Sequence, residues 1–327
     1  MSAADLGIPV YTATCLILII AVFILPVAIS MVLEALRREP QVPASLYWNK
    51  DIPIRYINVD GMRIRYIKVG QGPALVLLHT LRTQLDIFQK VVPELVKYFT
   101  VYALDYPGHG FSDIPRTDYI PELFVNTVEK FLEDLKIDNT TLAGISIGGS
   151  VPLLIAAKHN PRVRNVISIN PYDYGKGRGA ERGNFVAWLI FSLARIPVVG
   201  ETVMRFRNMM VERKILEGGV SRPDALPGQF LQQVWESGLR KGHYQGFINL
   251  IRNATKWEQA RQVYAQIRIP VLLVYGDRDW SHEDERKRTC NEIPGAKLEI
   301  VKSGGHFLSL DQPEEVIRLI KQFAISA

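Results

Sequence analysis

Thr140-Thr-Leu-Ala-Gly144-Ile-Ser146-Ile-Gly148-Gly149-Ser-Val151 decides the fold. An apolar stretch, Thr140 to Ala143, runs into a tight glycine cluster and then a helix-like stretch, Val151 to Lys158. The order predicts strand, sharp turn and helix, with a serine at the apex, the G-x-S-x-G pattern of a nucleophile elbow. Glycines are required because a side chain at either flank would collide with the strand or the helix. The serine hydroxyl then stands at a helix N-terminus, where free N–H groups and the helix dipole favour a developing anion.

Outward from the elbow, continuous apolar runs recur at Ala74 to Leu78, Thr100 to Leu104, Val163 to Ile169, Val271 to Tyr275 and Leu298 to Val301. Helix-like periodic stretches such as Leu85 to Tyr98 and Leu123 to Leu135 separate them. Strands without polar alternation, interleaved with helices, predict a mostly parallel α/β sheet covered on both faces. Ahead of them, Ile52 to Val59 and Met62 to Val69 alternate around Asp60-Gly61, which predicts a β-hairpin. Functional residues should lie just beyond the strand C-termini.

The alternation stops between Tyr172 and Gln266, which reads as helical throughout. We expect a core formed by residues 45–171 and 266–327, with residues 172–265 inserted as a helical cap. From Tyr172 to Ala265 there are 14 Lys and Arg against 8 Asp and Glu, so this insert accounts for the whole net charge of +6. Gly175-Lys-Gly177-Arg-Gly179-Ala180 fits a dinucleotide-binding pattern loosely but lacks the following βαβ unit, and reads as a hinge.

The N-terminus departs from an otherwise ordinary globular composition of 47% apolar and 22% charged residues. No charge falls between Asp5 and Glu34, and Leu16 to Val32 is almost wholly aliphatic. Residues 1–38 are expected to be a retained single-pass transmembrane helix, with lipid contact over residues 10–33. A cleaved signal peptide fits worse, since no basic segment precedes the run and no small-residue cleavage site follows it. Arg37 and Arg38 follow the span while only Asp5 precedes it, which places the catalytic domain in the cytoplasm. A second membrane contact is weighed at residues 185–195, a nearly all-apolar stretch in the basic insert; burial is its alternative.

A serine nucleophile needs a base, and the base needs an orienting acid. With the order serine, acid, histidine, His306 in Ser303-Gly-Gly-His306-Phe307 is the expected base among six histidines. His79 and His109 precede the serine, His159 ends the next helix, His243 lies in the insert, and His282 sits among charges. The acid should follow Val271 to Tyr275. Asp279 lies far enough from the strand to turn toward His306, Asp277 fits a turn-capping role, and Asp173 is the third option. Oxyanion donors are expected from the N–H groups of Ile147 and of the loop His79-Thr80-Leu81.

From about Ser45 to the C-terminus, excluding the insert, the chain resembles the α/β-hydrolase superfamily. Four motifs carry the resemblance in order: the His79 loop, Asp105-Tyr-Pro-Gly108-His109-Gly110-Phe-Ser112, the serine elbow, and the pair formed by Gly276 to Asp279 with Gly305-His306-Phe307. The resemblance implies Ser146 as nucleophile, Asp279 and His306 as its partners, and the Leu81 and Ile147 amides as oxyanion hole. Haloalkane dehalogenases and epoxide hydrolases on this scaffold carry an aspartate at the elbow, so Ser146 implies acyl transfer: a serine esterase or lipase acting on an ester or thioester of an apolar acyl compound. A carbon–carbon bond hydrolase with the same triad and a non-catalytic membrane scaffold are the alternatives. One departure stands out. Thr80 replaces the glycine usual in that loop and restricts the backbone beside Leu81. Arg82 next to it suits a substrate carboxylate or an ion pair. No cofactor, metal site or nucleic-acid partner is expected, because no cluster with ligand spacing and no nucleic-acid motif is present; a protein partner is left open.

Overall fold

The computed structural model of the chain describes residues 12, 14, 15, 18 and 20–326. A π-helical turn, Ile20–Ile24, leads into α1 (Leu25–Ala35). The hairpin β1 (Ile54–Val59) and β2 (Met62–Val69) pairs in antiparallel register, Val59 opposite Met62. Asp60 and Gly61 both have positive φ, 50° and 82°, as a two-residue I′ turn requires. Then follow β3 (Ala74–Leu78), the short α2 (Val92–Leu95), β4 (Thr100–Leu104), α3 (Pro121–Asp134), β5 (Thr140–Ile145), α4 (Ile147–Ala157) and β6 (Val163–Ile169).

The eight strands are ordered β1-β2-β4-β3-β5-β6-β7-β8, with β7 (Val271–Gly276) and β8 (Lys297–Val301) closing one edge. All pairings from β4 onward are parallel; β2 runs antiparallel to β4. Successive side chains leave a strand on opposite faces, and here both faces are covered. Val76, Leu78 and Leu142 enter one apolar cluster with α3 and α4, while Leu75, Leu77 and Ala143 enter another with α13 (Pro313–Ser326). Two-sided burial is why these strands carry no polar alternation.

Between β6 and β7 the described elements are all helical: two 3-10 turns, then α5 (Phe185–Ala194), α6 (Val199–Phe206), α7 (Met209–Glu217), α8 (Gly228–Gly238), α9 (His243–Arg252) and α10 (Ala254–Ala260), with 3-10 turns at Pro223–Ala225 and Arg261–Gln266. After β7 come α11 (Glu283–Glu292) and, past β8, α12 (Leu308–Asp311).

One expectation changes. Leu85 to Tyr98 is not one helix but a 3-10 turn, Leu85–Phe88, followed by α2. Pro93 has no N–H to continue an upstream helix, and the Leu85 amide is drawn to the Asp105 carboxylate at 2.7 Å. The expected membrane span, residues 10–33, falls partly on residues outside those described. Among the described residues, no helix is long and apolar enough to cross a membrane. Pro26 follows closely on the π-helical turn, where its missing N–H removes a donor from the otherwise continuous helix. The 11 residues of α1 extend about 16 Å.

Candidate active site

Ser146 sits between β5 and α4 at φ 61°, ψ −118°, a backbone state that a non-glycine residue holds only when its surroundings enforce it. They do. A Cβ on Gly144 would lie 2.1 Å from the Gly148 carbonyl oxygen, and one on Gly148 would lie 2.1 Å from that of Leu78. The Ser146 amide donates to the Ile169 carbonyl at 2.9 Å, and the Ser146 carbonyl accepts from Tyr172 N at 3.1 Å. The elbow is therefore clamped between β6 and the loop after β3.

Past the ends of β7 and β8, Asp279 and His306 meet. His306 Nδ1 lies 2.6 Å from Asp279 Oδ1, so Nδ1 carries the proton against an acceptor-only carboxylate. The other carboxylate oxygen accepts from Ser281 N at 2.9 Å and Ser281 Oγ at 2.5 Å. Burial pushes the Asp279 carboxyl up, but His306 and the Ser281 hydrogen bonds outweigh it and leave the group below its ordinary value. Among the described residues, His306 Nε2 is buried with no hydrogen-bond partner. That nitrogen is the one a serine hydroxyl needs, and the structure joins His306 to Ser146 through Trp280, which stacks on the imidazole and lines the cavity containing the serine.

The rival residues serve elsewhere. Asp277 accepts from Gly304 N at 3.3 Å and so ties its turn to the His306 loop. Asp173 accepts from Thr289 Oγ at 2.9 Å, and burial pushes its carboxyl up to about 7. His159 and His282 are exposed, and His282 begins α11 in a capping box. His79, His109 and His243 are buried. His79 uses both nitrogens internally: Nδ1 lies 2.7 Å from the Thr80 carbonyl and Nε2 accepts from Tyr106 N at 2.9 Å.

Ile147 is the first residue of α4, so its N–H has no intrahelical acceptor. Leu81 lines the same small cavity as Ser146. Thr80 brings less strain than its sequence position implies. The left-handed residue of this loop is Arg82, at φ 57°. The Thr80 carbonyl takes hydrogen bonds from Thr83 N at 3.2 Å and Thr83 Oγ at 2.9 Å. Arg82 forms an ion pair with Glu212 on α7.

Two residues that sequence reasoning passed over frame the histidine. The Trp280 ring stacks on His306, centroids 3.7 Å apart and planes 15° apart, and its indole N–H donates to the Gly218 carbonyl at 2.7 Å. Asn170, fully buried, donates to the carbonyls of Gly305 at 3.1 Å and His306 at 2.9 Å, and accepts from Gly276 N at 3.0 Å. A polar residue ending an apolar strand was the available signal for Asn170; for Trp280 it was the position next to the acid. Among the described residues no group of His, Cys, Asp and Glu is arranged to hold a metal ion.

A family model described as the alpha/beta hydrolase fold matches residues 73–313. An uncharacterised protein of Mycobacterium tuberculosis is 25% identical over 283 residues, covering 83% of this chain and 80% of its own length. A haloalkane dehalogenase of Psychrobacter cryohalolentis is 27% identical over 290 residues, covering 82% of this chain and 91% of its own. In fold, the chain resembles the crystal structure of a membrane phospholipase A described as a bacterial virulence factor, with a TM-score of 0.70 at 20% identity, covering 100% of this chain and 99% of that one. With nearly three quarters of its length inside the family model, this chain belongs to the alpha/beta hydrolase family.

Proposed function

We propose that the chain is a membrane-anchored serine hydrolase that cleaves an ester or thioester of an apolar acyl compound through an acyl-enzyme. One observation carries the reading: a strained serine at a helix start lines a cavity with Trp280, whose ring stacks on His306 of a buried His306–Asp279 pair. Ser146 Oγ attacks the acyl carbonyl and its proton passes to His306 Nε2. The negative oxygen of the tetrahedral intermediate is held by the Leu81 and Ile147 amides. Collapse expels the alcohol or thiol, which takes the proton from His306. A water, deprotonated by the same nitrogen, then releases the acid and restores Ser146. Asp279 holds Nδ1–H in place and balances the imidazolium.

In this reading residues 1–38 anchor the chain, residues 45–171 with 266–327 form the core, and residues 172–265 form a cap over the serine. Membrane attachment is supported by the uncharged run before Glu34 and by the exposure of Leu25, Ile29, Met31, Val32, Leu33 and Leu36 on and just after α1. The basic residues after that run favour a cytoplasmic catalytic domain. On α5, Ala187, Phe191 and Ala194 are buried while Phe185, Trp188 and Leu189 are exposed, so one face packs and the other is available to lipid.

The test uses the full chain reconstituted in phosphatidylcholine vesicles, with release of fatty acid from the lipid and from added acyl esters as the readout. Ser146→Ala should lower the rate by about four orders of magnitude or more. Undiminished hydrolysis in the variant would overturn the assignment.

A further inference from the structure

Two cavities meet at one ion pair. The inner one contains Ser146 and holds only about 30 Å³, between Leu81, Tyr172, Phe191, Leu216 and Trp280. It is several times smaller than the second cavity and suits the reacting end of an acyl compound. The outer one, about 260 Å³, lies among α5, α6 and α7 and is walled by Ile190, Val203, Met204, Phe206, Val211 and Ile215. Arg82, Glu212 and Ile215 line both.

Arg82 and Glu212 are ion-paired at this neck, with side chains only 10% and 9% exposed. The Arg82 guanidinium also lies over the Phe247 ring at 4.9 Å. A chain passing from the outer cavity to the serine has to separate a pair of desolvated charges, which re-form their contact once it leaves.

The outer cavity is tied to the N-terminal helix through Arg207, which lines it. α1 packs against α6. Arg207, at the break between α6 and α7, donates to Glu34 of α1 at 2.9 and 3.3 Å, and the Gly242 amide donates to the same carboxylate at 2.9 Å. Around this side the apolar side chains of Phe185, Trp188, Ile196, Val198, Phe206 and Met210 are exposed.

We propose that the outer cavity binds the hydrocarbon tail of the substrate, and that the Arg82–Glu212 ion pair is the gate through which that tail reaches Ser146. The inference rests on the serine-hydrolase reading and adds to it a substrate class: long-chain acyl lipids, entering from the side of α1. When the outer cavity is empty the gate closes and keeps the inner cavity small.

The chamber is tested without catalysis. In the Ser146→Ala background, dansylundecanoic acid is titrated and its emission followed, with and without Val203→Trp. Filling the chamber should weaken binding about tenfold or more, since each excluded methylene counts for about 0.8 kcal/mol; equal affinities overturn the chamber. Ile190→Trp, on a different helix, repeats the comparison if the first variant does not fold. The gate is tested in the active protein by the ratio of kcat/KM for hexadecanoyl and butanoyl p-nitrophenyl esters. Glu212→Gln keeps the size of the side chain and removes its charge, so the ratio should rise; an unchanged ratio overturns the gate. A wild-type protein that binds the probe but hydrolyses neither ester would refute the serine-hydrolase reading while leaving the chamber standing.

Discussion

His306 is held from three directions: Asp279 at Nδ1, Trp280 across the ring face, and Asn170 at the backbone. The contact with Asp279 was legible in the sequence, because chain order and the distance from β7 single out two residues. Asn170 and Trp280 were not, because their partners are backbone atoms and a ring face brought close only by the sheet. Asn170 stitches the ends of β7 and β8 together by three hydrogen bonds. Asn170→Ala leaves two buried carbonyls and one amide without that partner, and should destabilise the fold by about 1–3 kcal/mol. As a positioning residue it should also lower kcat about ten- to a hundredfold with a smaller change in KM. Unchanged kcat in a destabilised but folded variant would reduce Asn170 to a structural role.

Among the elements, the strands were the most readable. The runs Ala74 to Leu78, Thr100 to Leu104 and Val163 to Ile169 match β3, β4 and β6 end for end, because burial on both faces leaves an uninterrupted apolar signature. The hairpin was equally plain from Asp60-Gly61. Helices lost detail where tertiary hydrogen bonds compete. In the stretch after β3, the Asp86 carboxylate accepts from Trp48 Nε1 at 2.7 Å and Gln84 Nε2 at 2.6 Å, and pairs with buried Arg65 at 3.3 Å. That network fixes a 3-10 turn where periodicity alone suggests a continuous helix. The elbow was readable from the opposite cause: each glycine flanking Ser146 answers a contact that any side chain would violate.

Across the whole molecule, buried histidines set an acid limit. Burial pushes His79 down to about 4 and His109 down to about 3, and it holds His243 well below its ordinary value. Below the unfolded value of about 6.5, the unfolded chain takes up protons that the folded chain refuses, so stability falls with pH until the folded values are reached. By pH 5 each of His79 and His109 should have lost roughly 2 kcal/mol of stabilisation relative to pH 7. Asp173 works in the opposite sense, because its raised carboxyl takes up a proton in the folded state over the same window, and it offsets about one histidine. The net expectation is a lower thermal unfolding midpoint at pH 5 than at pH 7, measured on the full chain in detergent. Equal or higher stability at pH 5 would mean that these histidines are not held neutral.

The central claim is that Ser146 is an activated nucleophile served by His306. Its most direct test is covalent labelling of the detergent-solubilised full chain with a fluorophosphonate probe, comparing wild type with Ser146→Ala. The expected result is a labelled wild type and an unlabelled variant. A folded wild type that takes no label, or a variant that keeps it, would contradict the claim.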